Sequence, residues 1–128
     1  MELATGLAAR VEWTVSAADT AQALGSGDVP VLATPRVVAL MEAATVAATA
    51  GQLSPGSTTV GTRVAVDHLA ATSVGAQVVA QARLIAVDGR RLTFSVDLYD
   101  GETLAAQGQV ERVVVDRDRF LSKLAGVP

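Results

Sequence analysis

One histidine, His68, and one acidic residue inside a long apolar stretch, Glu42, are the side chains best placed for proton chemistry in this sequence. His68 lies in the segment Val60-Gly61-Thr62-Arg63-Val64-Ala65-Val66-Asp67-His68-Leu69-Ala70. Strand side chains alternate between faces, so the pattern puts Val60, Val64, Val66 and His68 on one face and Arg63 and Asp67 on the other. An imidazole on the core side of a sheet needs a polar partner. Glu42 lies in the run Pro35-Arg36-Val37-Val38-Ala39-Leu40-Met41-Glu42-Ala43-Ala44, which has helical character. If that helix packs on that strand, carboxylate and imidazole meet in a mostly dry site, the setting in which general acid–base chemistry is built.

The elements that must position this pair can be read from the pattern. Val11 to Ser16 alternates as a first strand. Gly25-Ser26-Gly27 marks a loop, preceded by a short helical turn within Ala18 to Leu24. Thr34-Pro35 reads as a helix cap followed by proline in the first turn, and the helix runs to about Ala50, where Gly51 stops it. This helix is apolar nearly all round, which predicts burial on most sides. Strands follow over Thr58–Ala71, Ala76–Val87, Arg91–Tyr99 and Thr103–Val115. Asp88-Gly89 and Asp100-Gly101 are hairpin signals. Leu92, Phe94, Val96 and Leu98 form the inward row, and Asp116 to Ala125 reads as a short terminal helix ended by Gly126. The order of strand, long helix and four hairpin-linked strands predicts one α+β domain, an antiparallel sheet wrapped around a helix. Exposed sheet edges tend to be paired or covered, which predicts a homodimer or a dimer of dimers.

Composition narrows the function classes. The chain has 128 residues, 50% of them hydrophobic but only 3% aromatic, so Ala, Val and Leu must build the core. A net charge of −3 with no basic patch argues against nucleic-acid binding. The absence of cysteine excludes disulfides and thiol nucleophiles, and a single histidine argues against a protein metal site. No stretch reads as a signal peptide or a membrane span, so a cytoplasmic protein is expected. The Gly-x-Ser-x-Gly elbow, the phosphate-binding loop and the dinucleotide fingerprint are all missing, and no cofactor is expected.

From about Val11 to Phe120 the chain resembles the fluoroacetyl-CoA thioesterase family of hot-dog fold proteins. The resemblance is carried by Ala33-Thr34, Leu40-Met41-Glu42, Val60-Gly61-Thr62, Val66-Asp67-His68, Val87-Asp88-Gly89-Arg90-Arg91-Leu92 and Val110-Glu111-Arg112. It implies a hot-dog fold and hydrolysis of a small acyl-CoA thioester at a site on a dimer interface. It places Thr34, Glu42 and His68 at catalytic positions. Gly61 then lines the acyl site, and Arg112 binds near the substrate. The family's prototype carries a longer, phenylalanine-containing lid before the threonine. Here the equivalent stretch, Ala23 to Pro30, is short and has no aromatic residue. The resemblance therefore carries the reaction type and not the fluoroacetyl group.

Thioester hydrolysis needs a nucleophile and a sink for charge on the carbonyl oxygen. Glu42 could serve as base towards water or attack the thioester itself, with His68 orienting it or donating a proton. The Thr34 hydroxyl could position the acyl group or the water. Backbone N–H groups at the helix start, or that of Gly61, could receive the oxyanion. Thr34 and Glu42 are eight positions apart, about 12 Å along a helix. They therefore act on different parts of a ligand, or a second subunit completes the site. Taken singly, each residue has a plainer explanation. Thr34 is a cap, His68 a satisfied core residue and Gly61 a bulge or close-packing glycine. Arg63, Arg83, Arg90, Arg91 and Arg112 are then solvated charges, one or two of them near CoA phosphates. The rival functions are a non-catalytic acyl-CoA-binding module, acting as a sensor or partner subunit, and a hot-dog hydratase or dehydratase.

Overall fold

Each Asp-Gly pair makes a tight hairpin turn, with φ of 59° at Gly89 and 61° at Gly101. These turns join β3 (Gln77–Asp88), β4 (Arg91–Asp100) and β5 (Thr103–Asp116) into a meander. The computed structural model describes residues 3–124. With β1 (Ala8–Thr14) and β2 (Ser57–His68) the sheet has five strands in the order β1-β3-β4-β5-β2, all antiparallel. Leu92, Phe94, Val96 and Leu98 form the inward row of β4 and are at most 3% exposed. They pack with Val37, Leu40, Met41 and Ala44 of α2 (Thr34–Ala48), the long helix on the concave face of the sheet. A small residue also lets β5 and β2 approach within the sheet. An added Cβ at Gly108 would collide with the Ala65 carbonyl on the neighbouring strand.

The differences from the sequence pattern have local causes. β1 starts and ends earlier than expected because Ala8 to Thr14 is the span in register with Arg83 to Gln77. The helical turn before the loop is two pieces, a 3₁₀ turn at Ala17–Asp19 and α1 (Ala21–Leu24), ended by Gly25 at φ 73°. β2 stops at His68 rather than Ala71 because the Leu69 and Ala70 amides both donate to the Ala105 carbonyl, at 2.7 and 3.2 Å. The terminal helix, α3 (Arg117–Ser122), is capped by the Asp116 carboxylate, which accepts from the Arg119 amide at 2.9 Å. The expected stop at Gly126 lies outside the described residues. Among the described residues, helix α2 is covered on one side only. Pro35, Ala39, Ala43, Val46 and Ala47 remain exposed on the other.

Candidate active site

A bulge in β2 decides which side chains face the helix. Gly61 pairs with Arg112 but Arg63 pairs with Glu111, so Thr62 is an extra residue, its hydroxyl bonded to the Glu111 carbonyl at 3.2 Å. An inserted residue reverses the alternation from that point on. The inward row is therefore Thr59, Gly61, Val64, Val66 and His68. Val60 pairs with Val113 on the opposite face, which corrects the expectation that it lies with His68. The bulge also turns Gly61 inward, beneath Glu42.

Thr34 and His68 meet. The hydroxyl lies 2.7 Å from Nδ1 of the imidazole. Thr34 is not the helix cap it was expected to be. The cap position is Ala33, whose carbonyl accepts from the Arg36 and Val37 amides, both at 3.0 Å. The helix thus begins one residue early, Pro35 fills the second helical position, and the Thr34 hydroxyl is left free for the imidazole. His68 Nε2 is buried and has no partner among the described residues. A cavity of about 370 Å³ opens at this pair, walled by Gly27, Asp28, Val29, Val31 and Leu69. The short segment before the threonine borders this cavity, and it does so with aliphatic and acidic side chains.

Glu42 lies one helix segment away and joins a second cluster. Its Oε2 accepts from Arg112 Nη1 at 3.1 Å, and its side chain is 36% exposed. Arg112 is buried and fully engaged, with Nε donating to Thr59 Oγ1 at 2.9 Å and Nη2 to the Thr59 carbonyl at 3.1 Å. The guanidinium therefore acts as an anchor for the carboxylate. Gly61 makes this geometry possible, since a Cβ there would stand 2.5 Å from Glu42 Oε2 and 3.3 Å from Arg112 Nη1. Thr59 was missed in the sequence, where nothing separates it from the other strand threonines.

Within one chain the site is in two halves. Thr34 and His68 form one, while Glu42, Gly61 and Arg112 form the other. No hydrogen bond links Glu42 to His68 among the described residues, and Glu42 does not line the cavity at the imidazole. Both halves lie along the seam between α2 and β2, and β2 is an edge strand. Among the described residues no group of histidine, cysteine and acidic side chains could hold a metal ion, and no helix is long and apolar enough to cross a membrane.

The family described as fluoroacetyl-CoA-specific thioesterase (FlK) matches residues 15–118. A fluoroacetyl-CoA thioesterase from Streptantibioticus cattleyicolor is 42% identical over 94 residues, covering 73% of this chain and 68% of that one. A solved structure of the fluoroacetyl-CoA thioesterase FlK superposes with a TM-score of 0.90 at 32% identity over the whole of both chains. A hot-dog-like protein from Thermanaerovibrio acidaminovorans superposes at 0.87, with 27% identity over 94% of this chain and 90% of that one. The fold is the hot-dog fold, and the chain belongs to the fluoroacetyl-CoA-specific thioesterase family.

Proposed function

We propose that this protein is an acyl-CoA thioesterase. It hydrolyses a small or short-chain acyl-CoA to the acid and free CoA at a composite site between two copies of the chain. The observation that carries this reading is the 2.7 Å contact between Thr34 and His68 at the mouth of a cavity, in a chain of a thioesterase family. A hydroxyl in hydrogen-bond reach of an imidazole is a nucleophile paired with its base. His68 Nδ1 takes the Thr34 proton as the hydroxyl oxygen attacks the thioester carbon. The thiolate leaves and takes up the proton held on His68, which frees the imidazole for the next step. Water then releases the acid from Thr34 with His68 again as base. In the first turn of α2 the Arg36 and Val37 amides are taken by the Ala33 carbonyl and Pro35 has no N–H, so the Thr34 amide is the donor that offers a place for the oxyanion.

The dimer supplies what one chain lacks. The apolar strip of α2 and the unpaired edge of β2 are both surfaces that a second copy would cover. Two β2 strands related by a two-fold axis pair antiparallel, which sets the Gly61 end of one against the His68 end of the other. Glu42 of the partner subunit then approaches the Thr34–His68 pair, with its own Arg112 holding the carboxylate in place. Acyl-CoA as substrate favours the cytoplasm, where CoA circulates. The short segment before Thr34, without aromatic residues, favours acyl groups other than fluoroacetyl.

The test is release of free thiol from a panel of acyl-CoA thioesters. Single variants His68→Ala and Glu42→Ala are each expected to lose turnover while remaining folded dimers. Mixing the two and allowing subunits to exchange should restore about a quarter of wild-type activity, since half the dimers are then mixed and each holds one intact site. No recovery in demonstrably mixed dimers would rule out the composite site. Tight acyl-CoA binding with no turnover of any thioester would replace the enzyme by a binding module.

A further inference from the structure

Asp19 is a buried carboxylate that the reaction above does not use. It is 2% exposed. Its Oδ2 accepts from the Trp13 indole at 2.9 Å, the Ser16 amide at 2.8 Å and the Ser16 hydroxyl at 3.1 Å. Its Oδ1 lies 2.9 Å from Arg36 Nε. That N–H does not point along the contact, so the interaction is an ion pair rather than an aligned hydrogen bond. The Arg36 guanidinium also sits over the Trp13 ring, 5.8 Å from its centre. Burial pushes the Asp19 carboxyl up, but the Ser16 amide, the Trp13 indole, the Ser16 hydroxyl and Arg36 together hold it below the ordinary carboxylate value.

These contacts bracket Thr34. The Asp19 carbonyl accepts from the Ala33 amide at 2.9 Å, one residue before it. The Asp19 carboxylate holds Arg36, two residues after it. Helix α2 has no side-chain cap of its own, so the attachment of its first turn on this side comes from Asp19. Trp13 stands at the end of β1 and His68 at the end of β2, the two outer strands of the sheet. The first turn of α2 is therefore strung between both edges, tied to one by Asp19 and to the other by the Thr34–His68 contact.

We propose that Asp19 is a positioning residue for the thioesterase reaction, which through Arg36 holds the first turn of α2 so that the Thr34 hydroxyl stays on His68. The proposal rests on the catalytic assignment of Thr34 and His68 and is separable from it by experiment. His68 is the only histidine, so its ring resonances report the Thr34 contact without assignment work. Asp19→Asn keeps the shape and removes the ion pair. Arg36→Met removes the pair from the helix side, where the arginine is a third exposed and folding is least at risk.

Both variants are expected to lower kcat about tenfold with KM within about twofold, because a displaced nucleophile costs rate rather than binding. Both should shift the imidazole nitrogen resonances of the folded dimer, and Arg36→Lys should recover part of each effect. A purely structural role would lower the melting temperature and leave both readouts of the folded fraction at wild-type values, which would overturn the proposal. A shifted imidazole with full turnover would leave Asp19 as the holder of the helix start and overturn the catalytic assignment of Thr34 and His68.

Discussion

Replacing Gly61 by alanine tests the geometry of the carboxylate half of the site. The new Cβ would stand 2.5 Å from Glu42 Oε2, 3.3 Å from Arg112 Nη1 and 3.6 Å from Glu42 Cδ. Carbon and oxygen not bonded to each other settle at roughly 3.4 Å, so the carboxylate oxygen must retreat by about 1 Å. Glu42 can do this through its own rotamers, because its side chain is 36% exposed. Gly61 is not among the glycines with positive φ, so alanine suits the backbone. The cost to folding should stay below about 1 kcal/mol. The cost to catalysis should be far larger, because a misplacement of this size is worth about a hundredfold, or roughly 2.7 kcal/mol of barrier. The assay is kcat/KM by thiol release, beside thermal melting and dimer mass. The same substitution in a Glu42→Ala background should have almost no further effect, since the colliding atom is gone. A folded Gly61→Ala dimer with full activity would refute the reasoning. So would an equal loss in both backgrounds, which would mean that the methyl group acts on something other than Glu42.

Thr34→Ser should retain activity within about tenfold, because the hydroxyl and its imidazole partner survive, while Thr34→Val should lose about a thousandfold or more in kcat; equal rates for the two would remove Thr34 from the reaction. Ala43→Arg places a charge on the apolar strip of α2 and should yield monomer by sedimentation or light scattering, with turnover lost in proportion. Asp97, half-buried on the outer face of the sheet, has one carboxylate oxygen with no partner, and burial raises its pKa. Its ionised form is thus disfavoured in the fold, and stability held at low pH is lost as pH rises through the folded-state pKa. Asp97→Asn should therefore raise the melting temperature at pH 7 by about a degree or two and leave it unchanged well below pH 4; an equal shift at both pH values would show that charge is not the cause.

The strand order and the long helix were legible because their signals are local. Asp-Gly pairs enforce hairpins, and the row Leu92, Phe94, Val96, Leu98 has the period of a half-buried strand. The candidate site residues could be named one by one from the sequence, but their arrangement could not. Thr34-Pro35 looks like a cap in any sequence, and only the bonding of Ala33 reveals that the helix begins earlier. The reversal of faces at Thr62 has no strong sequence mark, because a glycine beside a threonine is equally at home in a regular strand. Arg112 binds Glu42 across seventy positions, and no local pattern announces a partner so distant. The Asp19 cluster left a faint trace, the Ser16-x-x-Asp19 spacing of a capping box. Its links to Trp13 and Arg36 depend on tertiary contact alone.

The extra residue in β2 also governs how this pocket can be re-engineered. Randomising alternate codons, the usual way to sample one side of a strand, would miss half of the targets here. Odd-numbered positions face the helix up to Gly61, and even-numbered ones do so from Val64 to His68. A library that keeps one parity throughout would change the ligand-facing wall in one half and the solvent-facing wall in the other. Deleting Thr62 would restore regular alternation and rotate either Gly61 or His68 out of the pocket.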